Sequence, residues 1–185
     1  MSESVEIHNL FTDPAPAGSG TWTVNQPGTA DVSFTNGQLL VQGYETTANT
    51  FVYRSVQGMG AGDYALSFIS RSGSSPTFFG NRVCAVTNGN WHILGVVNDA
   101  ALNNGRALLR FTNPEPQNLR VLFQAPNKAA RVAYEKILLC TADDYERMLA
   151  AGIEWFDGDS HINTPPAEWF APLSARHHLD LVVVA

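Results

Sequence analysis

Short runs of Val, Phe, Tyr, Thr and Leu recur along the chain, broken about every 8 to 15 residues by clusters of Gly, Asn, Pro and Ser, a spacing that predicts strands. Within the runs, large apolar side chains fall on every second position, which places them on one face of an extended chain. In Asp63 to Arg71 that face carries Tyr64, Leu66 and Phe68. Arg106 to Thr112 repeats the pattern with Ala107, Leu109 and Phe111, and Leu119 to Gln124 with Leu119, Val121 and Phe123. Weaker alternation marks Val5 to Phe11, Val32 with Phe34, and Phe51 to Val56. Arg54, Arg110 and Arg120 are expected on the opposite, solvated faces. Turn sequences separate the runs at Pro14–Gly20, Thr35–Gly37, Ser72–Pro76, Thr87–Asn90 and Asn113–Pro116. The expectation is an all-β sandwich of about ten strands.

One segment has helical character. In CTADDYERMLAAG, Thr141 is placed to cap a helix of about three turns, Asp143 and Asp144 complement the dipole of its first turn, and Gly152 ends it. Tyr145, Met148 and Leu149 lie at i, i+3 and i+4, so this helix is expected to pack one face against an edge or end of the sandwich. Beyond Gly152 come two Trp, three Pro and a last run in which Leu179, Leu181 and Val183 alternate with Asp180, Val182 and Val184. An end strand apolar on nearly both faces needs a partner, within the sandwich or on a neighbouring subunit. Leu179, Leu181 and Val183 are therefore the expected assembly residues of a homo-oligomer. The chain divides into a sandwich at 1–140 and a short helix with a C-terminal hairpin or arm at 141–185.

A length of 185 residues suits one compact domain, and 44% hydrophobic against 15% charged residues favours a packed core over a disordered chain. The net charge of −6 argues against nucleic acid and anionic membrane surfaces as partners. No apolar run approaches the roughly 20 residues needed to span a bilayer, so no membrane insertion is expected. The opening MSESVEIHNL carries Glu3 and Glu6 where a secretory signal would carry positive charge, which predicts synthesis without a signal peptide. Cys84 and Cys140 sit in separate apolar runs and read as buried thiols.

The candidate chemistry is sparse. In Trp155-Phe156-Asp157-Gly158-Asp159-Ser160 two carboxylates flank a glycine, a sequence suited to a tight turn. The same Asp157 and Asp159, with Asp143, Asp144 or backbone carbonyls, could offer oxygen ligands to a structural calcium ion; no other cofactor is expected. His8, His92, His161, His177 and His178 form no zinc-helix motif, and no nucleophile elbow, phosphate loop or dinucleotide fingerprint is present, so catalysis is not expected. A glycan-active hydrolase using Glu154, Asp157, Asp159 or Glu168 remains the enzymatic alternative. Aromatic residues in or beside predicted loops are Trp22, Tyr44, Phe78, Phe79, Trp91 and Trp169. They suit either plugging the core ends or stacking on sugars, and Phe78, Phe79, Trp91 and Tyr44 are the candidate binding residues.

The C-terminal strings LCTADDYERMLAAG, WFDGDS and EWFAPLSARHH resemble minor tail proteins of phages and prophages of actinobacteria. Asn9-Leu10-Phe11-Thr12-Asp13 with Trp22, and a closing strand at Arg131 to Leu139, match the opening and end of the domain in that group. The chain departs from the family pattern at Trp169-Phe170-Ala171-Pro172 and at Arg176-His177-His178. The resemblance implies a jelly-roll domain like a carbohydrate-binding module and a non-enzymatic role in a virion. Other virion subunits and a host cell-wall glycan are the implied partners. The alternative within virions is a capsid decoration or head-fibre protein.

Overall fold

The computed structural model describes residues 4–18, 22–44, 50–72, 83–97, 105–126 and 130–163. Twelve strands and one helix are found among them: β1 (Ser4–His8), β2 (Thr23–Val24), β3 (Ala30–Thr35), β4 (Gln38–Gly43), β5 (Phe51–Met59), β6 (Gly62–Ser72), β7 (Val83–Thr87), β8 (Ile93–Val97), β9 (Gly105–Asn113), β10 (Gln117–Gln124), β11 (Arg131–Thr141), α1 (Ala142–Ala150) and β12 (Asp159–Asn163). Ten of the strands build two five-stranded antiparallel sheets, ordered β3-β4-β11-β6-β9 (the first sheet) and β2-β5-β10-β7-β8 (the second). The result is a jelly-roll-type β-sandwich with one short helix, as the alternation and the resemblance led us to expect.

The core lies between the sheets and uses the faces predicted from alternation. Tyr64, Leu66 and Phe68, then Ala107, Leu109 and Phe111, then Leu119, Val121 and Phe123 all enter one buried cluster. Phe123 sits at its centre, with its ring 4.8 Å from Tyr134 and 5.8 Å from Phe68. Trp22, expected beside a loop, is buried there too, against Phe11, Phe34 and Phe123.

Arg54 departs from the expected solvated face. It lies between Val52 and Val56 on the inward side of β5, and its side chain is only 9% exposed. Burial of the guanidinium is offset by ligation: Nε donates to Thr12 Oγ1 at 2.7 Å, Nη1 lies 3.7 Å from Asp13, and Asp13 accepts the Trp22 indole N–H at 2.7 Å. A buried charge held in this way costs far less than an unpaired one. The Asn9-to-Asp13 string is thus an internal fastening.

The helix also differs from expectation. Thr141 caps it by accepting the Asp144 N–H at 3.2 Å. It ends in a Schellman arrangement, in which Gly152 at φ +72° donates to the Leu149 carbonyl and Ile153 to that of Met148. It covers the outer face of the first sheet instead of an edge or end, burying Tyr145 and Met148 on Ala65, Leu138 and Cys140. Leu149 points away and is 45% exposed. Ile7, Ile153, Trp155 and Phe156 extend the same layer, and β1 pairs with β12 from Ser4↔Asn163 to His8↔Asp159. Arg110, on the outer side of β9, reaches the helix through Glu146 and the ring of Tyr145. Among the described residues no helix is long and apolar enough to cross a membrane.

Candidate functional site

α1 and the segment after it cover the outer side of β6 and β11 in the first sheet; the outer face of the second sheet carries a cluster of aromatic and polar side chains. Strand register arranges them in rows. Tyr53, Leu122, Cys84 and Val96 stand side by side across β5, β10, β7 and β8, and Ser55, Arg120, Val86 and Ile93 form the next row. Cys84, Val86 and Leu122 form a buried apolar floor, with Phe51, Tyr53 and Val96 packed round it. Burial pushes the Cys84 thiol up to about 12, so this sulfur behaves as a small hydrophobe.

Trp91 is held over these rows by the β7–β8 hairpin. Its backbone is left-handed, at φ +58°, a conformation that costs a non-glycine residue energy. The hairpin is closed tightly enough to impose it. Thr87 N–H donates to the His92 carbonyl at 2.9 Å, and His92 N–H donates to Thr87 Oγ1 at 3.0 Å and to Asn90 Oδ1 at 3.1 Å. Thr87 Oγ1 also bonds Asn90 Oδ1 directly. Thr87, Asn90 and the chain reversal thereby hold Trp91 40% exposed, edge-on to Tyr53 with ring centres 5.5 Å apart.

Arg120 completes the group. Its guanidinium carbon lies 4.3 Å from the centre of the Trp91 ring and 5.1 Å from that of Tyr53. Contacts of this kind contribute about 0.5 to 2 kcal/mol, more as water is excluded. Beside them, Asn88 Oδ1 and Arg120 Nε are buried and have no hydrogen-bond partner among the described residues. A cleft of about 360 Å³ opens at the neighbouring edge where Ser55 meets Thr12, Thr23 and Arg54. Rigid aromatic rings beside polar groups are what recognition of a flat, hydroxylated ligand requires.

Comparison with known proteins bears on the fold. No protein-family model matches the chain, and no curated protein matches it in sequence. Among solved structures, the second N-terminal cellulose-binding domain of Cellulomonas fimi β-1,4-glucanase C superposes with a TM-score of 0.51 at 20% identity, covering 76% of this chain and 98% of that one. The chain has the fold of that cellulose-binding domain. A family 29 carbohydrate-binding module superposes with a TM-score of 0.48 at 10% identity, over 77% of this chain and 93% of the module. A CBM4 structure gives 0.48 at 15% identity, over 75% and 94%.

The residues anticipated from sequence are distributed unevenly. Trp91 is in the cluster just described. Tyr44 follows β4 in the other sheet and bonds Asp31, which raises its hydroxyl pKa; it is not part of the Trp91 group. Phe78, Phe79, Leu179, Leu181 and Val183 lie outside the described residues, as do Trp169, Glu168, His177 and His178. Asp157 is exposed in a turn where Gly158 takes φ +84° and its carbonyl accepts the Asn9 N–H at 2.9 Å. Asp159 begins β12, and no side-chain position is described for it. No three His, Cys, Asp or Glu side chains converge as metal ligands among the described residues.

Alternation along the chain does not by itself mark Tyr53 and Arg120 as binding residues. A signal existed, since both occupy polar-face positions of strands otherwise recognised as core-forming. Their convergence depends on β5 and β10 being neighbours, 60-odd positions apart in sequence, and on the hairpin that brings Trp91 back over them.

Proposed function

We propose that this chain is a glycan-binding module, with its site on the outer face of the second sheet and Trp91, Tyr53 and Arg120 at the centre. The observation that carries the reading is the exposed Trp91 ring, fixed in a left-handed hairpin and braced edge-on by Tyr53. A ring held rigid before binding loses little conformational freedom when a sugar stacks on it. The fold shared with a cellulose-binding domain supports the same reading.

The module is non-enzymatic and belongs to a virion as a minor tail component that attaches to the host surface. The resemblance of the C-terminal strings to tail proteins supports this. Leu179, Leu181 and Val183 dock the arm on other subunits. Two experiments test the proposal. Binding of the full chain to immobilised host-wall glycans should be lost in Trp91→Ala, and binding unchanged by that substitution would refute the site. Gold-labelled antibody against residues 1–140 should decorate the tail of the particle; label over the capsid would make the chain a head decoration protein.

A further inference from the structure

We propose that Arg120 makes this face selective for saccharides that carry an oxyanion, a carboxylate or a phosphate. The inference rests on the glycan-binding reading and deepens it by assigning the chemistry of the ligand.

Arginines elsewhere in the described structure have acceptors. Arg54 has Thr12 and Asp13, Arg71 has Glu135, Arg106 has Ser67 and Glu154, Arg110 has Glu146, Arg131 has Gln42 and Arg147 has Asp144. Arg120 alone among the described arginines has neither a hydrogen-bond acceptor nor a carboxylate, and is positioned solely by the rings of Trp91 and Tyr53. Stacking orients the guanidinium plane while leaving its in-plane donors unspent. Nε is buried, so the terminal Nη groups are the donors that an incoming ligand can engage.

Charge placement points the same way. None of β2, β5, β7, β8 and β10 contains Asp or Glu, although the chain as a whole carries −6. The acids of the sandwich strands lie in the other sheet, at Asp31, Asp63 and Glu135. The second sheet thus presents a cation with no counter-ion of its own, backed by an apolar floor of low polarity. A sugar hydroxyl would accept a hydrogen bond from Arg120, whereas an oxyanion would also neutralise it, and charge-assisted bonds are about twice as strong as neutral ones.

Surface plasmon resonance of the full chain tests this on four immobilised polymers: polygalacturonate, the same polymer after carboxyl reduction, a phosphomannan, and hydroxyethylcellulose. We expect at least one acidic polymer to bind about tenfold more tightly than the carboxyl-reduced and cellulosic ones, with the preference shrinking as salt is raised. Arg120→Gln should abolish the preference, so that acidic and neutral polymers bind alike, whereas Trp91→Ala should weaken binding to all of them. Arg120→Lys, which keeps the charge, should retain part of the preference and serves if the glutamine variant does not fold. Stronger binding to the phosphate polymer assigns the oxyanion as phosphate, and to polygalacturonate as carboxylate. Equal binding to neutral and acidic polymers, or an acidic preference unchanged in Arg120→Gln, overturns the inference and leaves the glycan-binding reading standing. No binding to any of the four polymers overturns both.

Discussion

The side-chain oxygen of Asn9 accepts the backbone N–H of Leu139 at 3.0 Å, 130 positions away. The same amide donates from Nδ2 to the Ile137 carbonyl at 3.0 Å and to that of Phe156 at 3.3 Å, and Oδ1 also accepts the Phe11 N–H at 3.1 Å. These bonds converge where the β11–β6 register shifts between Glu135 and Leu138, and where Lys136 adopts φ +51°. A bulge leaves backbone groups without ladder partners. Asn9 supplies those partners and joins the N-terminal segment, β11 and the turn before β12 at one point. Asn9→Ala should lower stability by about 2 to 4 kcal/mol, since it orphans several buried backbone groups together. Urea unfolding followed by tryptophan fluorescence will measure it.

Trp91 separates binding from folding. Trp91→Gly removes the ring but relieves the left-handed backbone, so the lost aromatic contacts and the relieved strain should nearly cancel, within about 1 kcal/mol. Glycan binding should fall at least tenfold, about 1.4 kcal/mol. A variant that unfolds at the wild-type denaturant midpoint and still binds normally would exclude Trp91 from the site.

The two thiols predict a particular pH dependence. Burial pushes Cys84 and Cys140 from 9.0 to about 12, with the Asp144 charge adding to the effect at Cys140. An unfolded thiol loses its proton near pH 9 while the folded one keeps it, so the unfolded state binds fewer protons between pH 9 and 12. The stabilising contribution is therefore complete below pH 9 and lost as pH rises towards 12. Thermal unfolding should show this decline, and the double variant Cys84→Ala, Cys140→Ala should show a shallower one. Both native thiols should also resist a thiol-specific reagent until the protein is unfolded.

Gly43 leaves no room for a side chain. A Cβ there would lie 1.8 Å from the carbonyl oxygen of Pro126, a backbone atom that can move only with its strand end. Gly43→Ala should cost about 3 kcal/mol, the upper part of the range for overpacking. Gly18→Ala, where a Cβ would meet nothing within 4 Å, provides the control in the same unfolding assay.

The chain's own pattern determined the all-β class, the inward faces of β6, β9 and β10, the capped helix and the buried thiols, because each follows from local periodicity or from local cap and burial chemistry. Tertiary structure decided what local pattern cannot encode. Arg54 turned inward because Thr12 and Asp13, distant in sequence, arrive to satisfy it. Leu149 turned outward because the first sheet offers the helix a strip that only Tyr145 and Met148 reach. Trp22 became core because Phe11, Phe34 and Phe123 close round it. Trp91 was legible as a candidate, but its grouping with Tyr53 and Arg120 depended on which strands became neighbours. A period of two tells which side of a strand a residue occupies, and only long-range pairing tells what stands beside it.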